Sequence, residues 1–189
     1  RAATLADDVL AEVGALSTPH AAYAWYCTGE ADLDVDADRA RERLGRAVEL
    51  AEATNASFIR GIAGSSLVSI ESRIGDPEQA MHDSRRLIEH WRRSGMWSTQ
   101  WTTLRAVAAL LERVGRYHDA AILEGAVRST HEGHRIFGAD AAALDALGDR
   151  LRVTLGEEGY RTARTAGEDL DGAAAVDHAL RSLRSASGG

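Results

Sequence analysis

Residues 76–115 read DPEQAMHDSRRLIEHWRRSGMWSTQWTTLRAVAALLERVG, and the stretch predicts two antiparallel helices joined at Ser94-Gly95-Met96. Asp76 supplies an N-cap carboxylate and Pro77 takes the first helical position, where a missing N–H costs nothing. Met81, Arg85, Ile88 and Trp91-Arg92 keep one mostly apolar stripe at three- and four-residue spacing. Gly95 then stops the helix. The second helix sets Trp97, Trp101, Leu104, Val107-Ala108, Leu111 and Val114 on one face, and Gly115 ends it. A hairpin of this kind cannot bury both faces alone, so it calls for similar neighbours.

The pattern extends in both directions. On the N-terminal side the spacing predicts helices over 5–16, 19–31, 37–54 and 57–74. On the C-terminal side it predicts them over 117–130, 139–155, 157–166 and 171–183, with a polar, disordered tail over 184–189. Sliding the chain by forty residues aligns Ala40, Ala80 and Ala120, and also Gly75 with Gly115. It aligns Leu67, Ile70 and Ile74 with Val107, Leu110 and Val114 as well. One fixed period through three helical pairs is the signature of a stacked array. The expectation is an all-α antiparallel helix-hairpin repeat array forming one domain over 1–183. Its units are approximately 20–60, 61–100 and 101–138, followed by capping helices over 139–183. The small residues of 57–74 (Gly61, Ala63, Gly64, Ser65, Ser66) predict close approach by a neighbouring helix.

Composition narrows function. All 22 basic residues are arginine, which removes a P-loop lysine and a Schiff-base lysine from this segment. A net charge of −7 argues against general binding to a phosphate backbone, which needs a basic face to release counterions. One cysteine, Cys27, cannot form an intrachain disulfide and suits a reducing, cytoplasmic setting. Beside aromatic residues it is expected to be buried. No run of about 18 apolar residues suggests a membrane span. Starting at Arg1 and entering helical pattern by Leu5, the chain reads as a piece of a longer protein. The apolar face of its first helix (Leu5, Val9, Val13, Leu16) belongs in part to what precedes it.

Candidate chemistry is sparse. Asp32-Leu33-Asp34-Val35-Asp36 imitates the start of a calcium loop but lacks glycine at the sixth position, so it reads as a solvated, helix-capping acidic connector. His131-Glu132-Gly133-His134 is one residue short of the zinc-protease spacing, and His90 suits a helix C-terminus. No cofactor, metal site or catalytic constellation is expected, and the chain reads as no enzyme. Trp91, Met96, Trp97 and Trp101 gather near one turn, either as core or as an anchor patch for a protein or peptide partner, with Trp97 the more exposed. Arg85, Arg86, Arg92 and Arg93 form a stripe seven residues long in period. It reads either as a solvated face paired with Glu78 and Glu89, or as a docking strip for a carboxylate. The candidate partner-binding residues are therefore Trp91, Trp97, Trp101, Arg85, Arg86, Arg92 and Arg93.

Leu104, Val107, Ala108 and Leu111, then Gly115-x-Tyr117-x-x-Ala120, resemble the tetratricopeptide repeat, with Gly75-x-Pro77-x-x-Ala80 a weaker copy. A unit of forty residues instead of thirty-four looks like the longer variant of maltose-regulator-like bacterial regulators. Leu155-Gly156-Glu157-Glu158-Gly159-Tyr160-x-x-Ala163-x-x-x-Gly167, with Leu170 and Ala173-Ala174-Ala175-Val176-x-x-Ala179-Leu180, is similar to the closing helices of actinobacterial multidomain regulators. Those join a STAND-type signal-transduction ATPase to such an array, some with a LuxR-type DNA-binding domain and others with an adenylate-cyclase domain. The resemblance implies a right-handed superhelix and a non-catalytic interaction and regulatory role. Its partners would be a protein or peptide, including the upstream ATPase or output domains of the same chain, with no direct nucleic-acid or membrane binding. A small-molecule effector sensor and a homo-oligomerisation scaffold, such as a homodimer, stay open as alternatives.

Overall fold

The computed structural model describes residues 2–33, 35–130 and 136–186. Among them the fold is all-α: α1 (Ala2–Val13), α2 (Pro19–Asp32), α3 (Ala37–Ala53), α4 (Ser57–Ile74), α5 (Pro77–Ser94), α6 (Trp97–Arg113), α7 (Tyr117–Ser129), α8 (Gly138–Glu168) and α9 (Gly172–Ala186). Helix starts at Ala37, Pro77 and Tyr117 lie forty residues apart, as do those at Ser57 and Trp97. Ala40, Ala80 and Ala120 are fully buried. The expected run over 1–183 divides into two compact units, Arg1–Glu71 and Ser72–Gly189, with the boundary inside the last turn of α4.

Local chemistry sets the element ends. The backbone N–H of Ala21 donates to Thr18 Oγ1, Arg39 N–H to Asp36 Oδ1, and Gln79 N–H to Asp76 Oδ1. These side chains satisfy amides that a helix start leaves unpaired. At the end of α3, Ala56 N–H reaches the Ala51 carbonyl and Asn55 N–H the Glu52 carbonyl. Arg116 and Gly115 repeat that pair of bonds onto Leu111 and Glu112 after α6. Each is a Schellman closure.

In the first unit α2 and α3 pack so closely that a methyl group on Gly29 would lie 2.7 Å from Leu44 Cγ. Ala21, Ala22, Leu50 and Ala51 form one apolar cluster with Trp25 and Ile59 against it. Ala40, Leu44 and Ile70 form a second, with Tyr26 and Leu67. α1 joins α2 through the Trp25 indole N–H, which donates to the Gly14 carbonyl at 3.2 Å. Two expectations need correction here. Helix α1 ends at Val13, leaving Leu16 outside it, and Leu5, Val9 and Leu16 are exposed. Cys27 is exposed, because the buried face of α2 is carried by Ala21, Ala22, Ala24 and Thr28. In α4 the Ser65 and Ser66 hydroxyls bond back to the Gly61 and Ile62 carbonyls of their own helix.

In the second unit α5 to α9 share one core, in which Met81, Ile88, Trp101, Leu104, Leu111 and Leu123 are prominent. The Arg113 guanidinium donates to the Gly75 carbonyl at 2.6 Å and ties the end of α6 to the start of α5. α8 consists of two helical segments that meet at a non-helical Gly156 (φ 72°, ψ 162°), a conformation open in practice only to glycine. The break falls between the two helices expected over 139–155 and 157–166, and the second segment runs on to Glu168. Beyond the kink α8 lies against α7 with almost no side chain between them. A Cβ on Gly125 would overlap the Arg164 carbonyl, and one on Gly167 the Ile122 carbonyl. α9 then returns onto α5, α6 and α7.

Two alanine substitutions separate these roles. Gly167→Ala forces backbone apart and should cost about 1–3 kcal/mol or more. At Gly45, in α3, an added methyl meets nothing within 4 Å, so Gly45→Ala should stabilise by up to about 1 kcal/mol. Urea unfolding followed by far-UV circular dichroism reads both signs.

Candidate functional site

The hairpin turn between α5 and α6 places the seven expected residues unequally. Trp91 is 1% exposed and Trp101 5%, whereas Trp97 is 38% exposed. Trp91 and Trp101 therefore drop out of the surface patch. Trp101 packs in the core with Leu104, and Trp91 meets the edge of the buried His90 ring, centroids 4.8 Å apart. His90 lies near the C-terminal end of α5, as expected, and is buried. Trp97 opens α6 and stays at the surface because its position precedes the first inward turn.

On α5, Arg92 and Arg93 are more than half exposed, Arg86 is exposed and Arg85 half-buried. Arg93 pairs with Glu89 one turn back at 3.9 Å, as expected. Arg92 reaches Asp177 of α9 at 3.4 Å, a partner 85 residues away that spacing along α5 cannot disclose. The turn thus presents cationic forks beside one indole.

Two buried carboxylates escape the sequence reading. Asp32, expected in a solvated connector, is 1% exposed. Arg39 Nε and Nη2 donate to its two oxygens at 2.8 and 2.7 Å, and Arg43 Nη1 lies 2.9 Å from Oδ2. Arg43 is turned inward by this pair, and it also pairs with Asp7. Hydrogen bonding from Arg39 outweighs the burial of the carboxyl and, with Arg43, holds Asp32 below the usual carboxylate range. Asp36 caps α3 as expected, while Asp34 lies outside the described residues.

The second is Glu124 of α7, fully buried at the helical position that Ser84 and Leu44 occupy forty and eighty residues earlier. Arg128 pairs with it one turn on and donates to Asp145 at 2.9 Å. The Tyr160 hydroxyl, from the far side of the α8 kink, donates to Glu124 Oε2 at 3.2 Å. Burial first, and then the Glu124 charge, push the Tyr160 phenol up, so it remains a donor. Arg152 lies 4.7 Å from the centre of the Tyr160 ring. Gly148 leaves room for this assembly, since a Cβ there would lie 2.9 Å from the Tyr160 oxygen. A carboxylate on a core face with arginine at i+4 was the available signal.

His131, Glu132, Gly133 and His134 lie outside the described residues. Among the described residues no group of three or more His, Cys, Asp or Glu is placed to hold a metal ion, and no helix is long and apolar enough to cross a membrane.

Chemically, both networks are closed: every carboxylate oxygen faces an internal donor, and their role is to orient helices. Asp32→Asn removes the charge that two arginines share and should cost about 1–3 kcal/mol. The wild-type contribution is present above the ordinary aspartate value of about 3.9 and is lost as pH falls through the lower folded value. His178 of α9 behaves oppositely. Its Nε2 lies 3.2 Å from the Asp119 carbonyl and 3.8 Å from the Asp119 carboxylate. Burial, aided by Arg181 and His118, outweighs Asp119 and lowers its proton affinity. Docked α9 thus favours the neutral ring. Its attachment should weaken as pH falls below about 6.5 and reach its full loss below the folded value. Hydrogen exchange of α9 amides at pH 5 and 7.5, corrected for intrinsic rates, measures this.

No protein-family model, curated protein or solved structure matches the chain.

Proposed function

We propose that the chain is a non-catalytic protein-interaction and regulatory domain of a larger bacterial signalling or transcriptional regulator, built as a tetratricopeptide-like repeat array. The right-handed superhelix implied by the resemblance is part of this proposal. One observation carries it: helices restart every forty residues at Ala37, Pro77 and Tyr117, with a fully buried alanine three positions into each. Repetition of one packing unit is how chains build long surfaces without a dedicated active site. Trp97 with Arg85, Arg86, Arg92 and Arg93 forms the partner-binding surface. Tryptophan and arginine are the side chains that most often anchor interfaces, and the guanidinium fork suits a partner carboxylate. The partner is a protein segment, including the ATPase or output domains of the same regulator.

Small-molecule sensing is the second reading, favoured by Gln100 and Trp101. Gln100 is 1% exposed, yet its carboxamide oxygen and nitrogen make no hydrogen bond among the described residues, nor does the Trp101 indole nitrogen. Unpaired buried polar atoms cost about 1–3 kcal/mol each, and a bound polar effector would relieve that.

Trp97→Ala and the pair Arg92→Glu, Arg93→Glu should leave far-UV helicity unchanged. Each should weaken binding to the remaining domains of the regulator at least about tenfold in a calorimetric titration, a loss of about 1.4 kcal/mol. Unchanged affinity in both would sink the scaffold reading. A mass that rises with concentration, and stops rising in Trp97→Ala, would move the function to self-association.

A further inference from the structure

α6 begins unlike its neighbours. Thr18, Asp36, Asp76 and Asp171 each place a side-chain oxygen on a first-turn amide of α2, α3, α5 and α9. α7 and α8 lack such a cap but hold Asp119 and Asp140 in their first turns. α6 has neither: its N-cap is Met96, whose side chain holds no oxygen, and no acid lies in its first turn. The Trp97 N–H reaches the Gly95 carbonyl at 3.2 Å and the Gln100 N–H the Met96 carbonyl at 3.0 Å. Between them the N–H groups of Ser98 and Thr99 stay open at the positive end of the helix dipole.

Gln100 adds a second, independent feature. It is 1% exposed, and both carboxamide atoms lack a hydrogen bond among the described residues. A helical side chain leans over the turn before its own Cα, and a residue at this fourth position reaches back towards the one preceding the N-cap. That residue is Gly95, where an added Cβ would meet nothing within 4 Å. An apolar side chain in place of Gln100 would close the helix start in the ordinary way. A buried carboxamide, offering one donor group and one acceptor beside open amides, suits a ligand instead. Trp97 and the exposed Arg92 and Arg93 flank the same turn.

We propose that the start of α6 is a carboxylate-binding site for a peptide. The carboxylate accepts from the Ser98 and Thr99 N–H groups and from Gln100 Nε2, and a neighbouring peptide N–H of the ligand donates to Gln100 Oε1. Backbone amides at a helix start hold anions without a cationic side chain. The neutral carboxamide selects a carboxylate with an N–H beside it over a simple anion. The proposal deepens the interaction reading and rests on it. It gives the partner's carboxylate a seat at the helix end beside Trp97, with the arginines guiding its approach.

The probe is N-acetylglycine, titrated into the full chain and followed by NMR through the backbone amide resonances. The Ser98 and Thr99 amide protons should move downfield and saturate at millimolar ligand, while N-acetylglycinamide, the neutral analogue, leaves them in place. N-acetyl-aspartic acid α-amide offers the same groups from a side chain, and the tighter of the two acids names a chain terminus or an acidic residue as the source. Met96→Asp supplies the missing cap from the chain itself and should weaken the probe at least about tenfold. Gln100→Leu keeps the volume and removes the unpaired polar atoms. It should weaken the probe at least about tenfold while raising the midpoint of urea unfolding, opposed signs that mark a residue kept for binding and not for stability. Unmoved Ser98 and Thr99 amides, an equal response to inorganic phosphate, or full affinity in either variant overturns the proposal. None of these readouts involves Trp97, so the interaction reading is decided separately by Trp97→Ala.

Discussion

Where α7 meets the second half of α8, Gly125 and Gly167 leave backbone against backbone, and a methyl group at either would overlap a carbonyl of the facing helix. This close approach fixes the direction of α8 after its kink at Gly156, and so determines where Tyr160 points. Tyr160 reaches Glu124 only because the two helices are that near. The same economy holds elsewhere: Ala40, Ala80 and Ala120 are fully buried, and Gly29 lies against Leu44. A core built on alanine and glycine gains less from transfer of large side chains than a leucine core does. It gains instead from dense contact along the backbone, where dispersion terms are individually small and numerous. Added volume is the change such a core tolerates worst.

The buried carboxylates complement that packing. Alanine faces slide easily past one another because they offer few shape features. Asp32 and Glu124 supply direction, since each finds its donors in only one register of the helices around it. A buried ion pair is weak evidence of stability, because desolvation offsets much of its attraction. Its value here lies in making slipped arrangements costly: a shift of one turn would strand a charge away from water. In this chain specificity of packing is carried by charge, and closeness of packing by the absence of side chains.

Most helix limits were legible because their signals are local. Thr18-Pro19, Asp36, Asp76-Pro77 and Gly115 act within four residues of themselves, and the helices begin or stop beside them. The kink at Gly156 was legible as an interruption for the same reason. Burial of Asp32 and Glu124 was not, because their environments are completed by Arg43 and Tyr160, eleven and 36 residues further on. Cys27 misled because aromatic neighbours in sequence fall on different sides of a helix, and Tyr23 beside it is itself half exposed. Trp91, Trp97 and Trp101 share one turn, and only the position of each relative to the inward stripe separates anchor from core.

Charge pairing runs along the whole chain, the α5 stripe included. Most arginines in the structure are committed to a carboxylate of the same unit: Arg39 and Arg43 to Asp32, Arg105 to Asp140, Arg116 to Asp119, Arg150 to Glu112, Arg152 to Asp149 and Glu157. With a net charge of −7, the field outside such pairs is predominantly negative. On α5, Arg92 and Arg93 are paired as well, with Asp177 and Glu89, and both guanidinium groups stay more than half exposed. Exposed charges orient an approaching partner more than they add affinity, because they act through the approach and are screened by salt once contact is made. Affinity must come from desolvated apolar contact, which at this turn is Trp97. In the interaction proposed above, steering falls to α5 and anchoring to the first residue of α6.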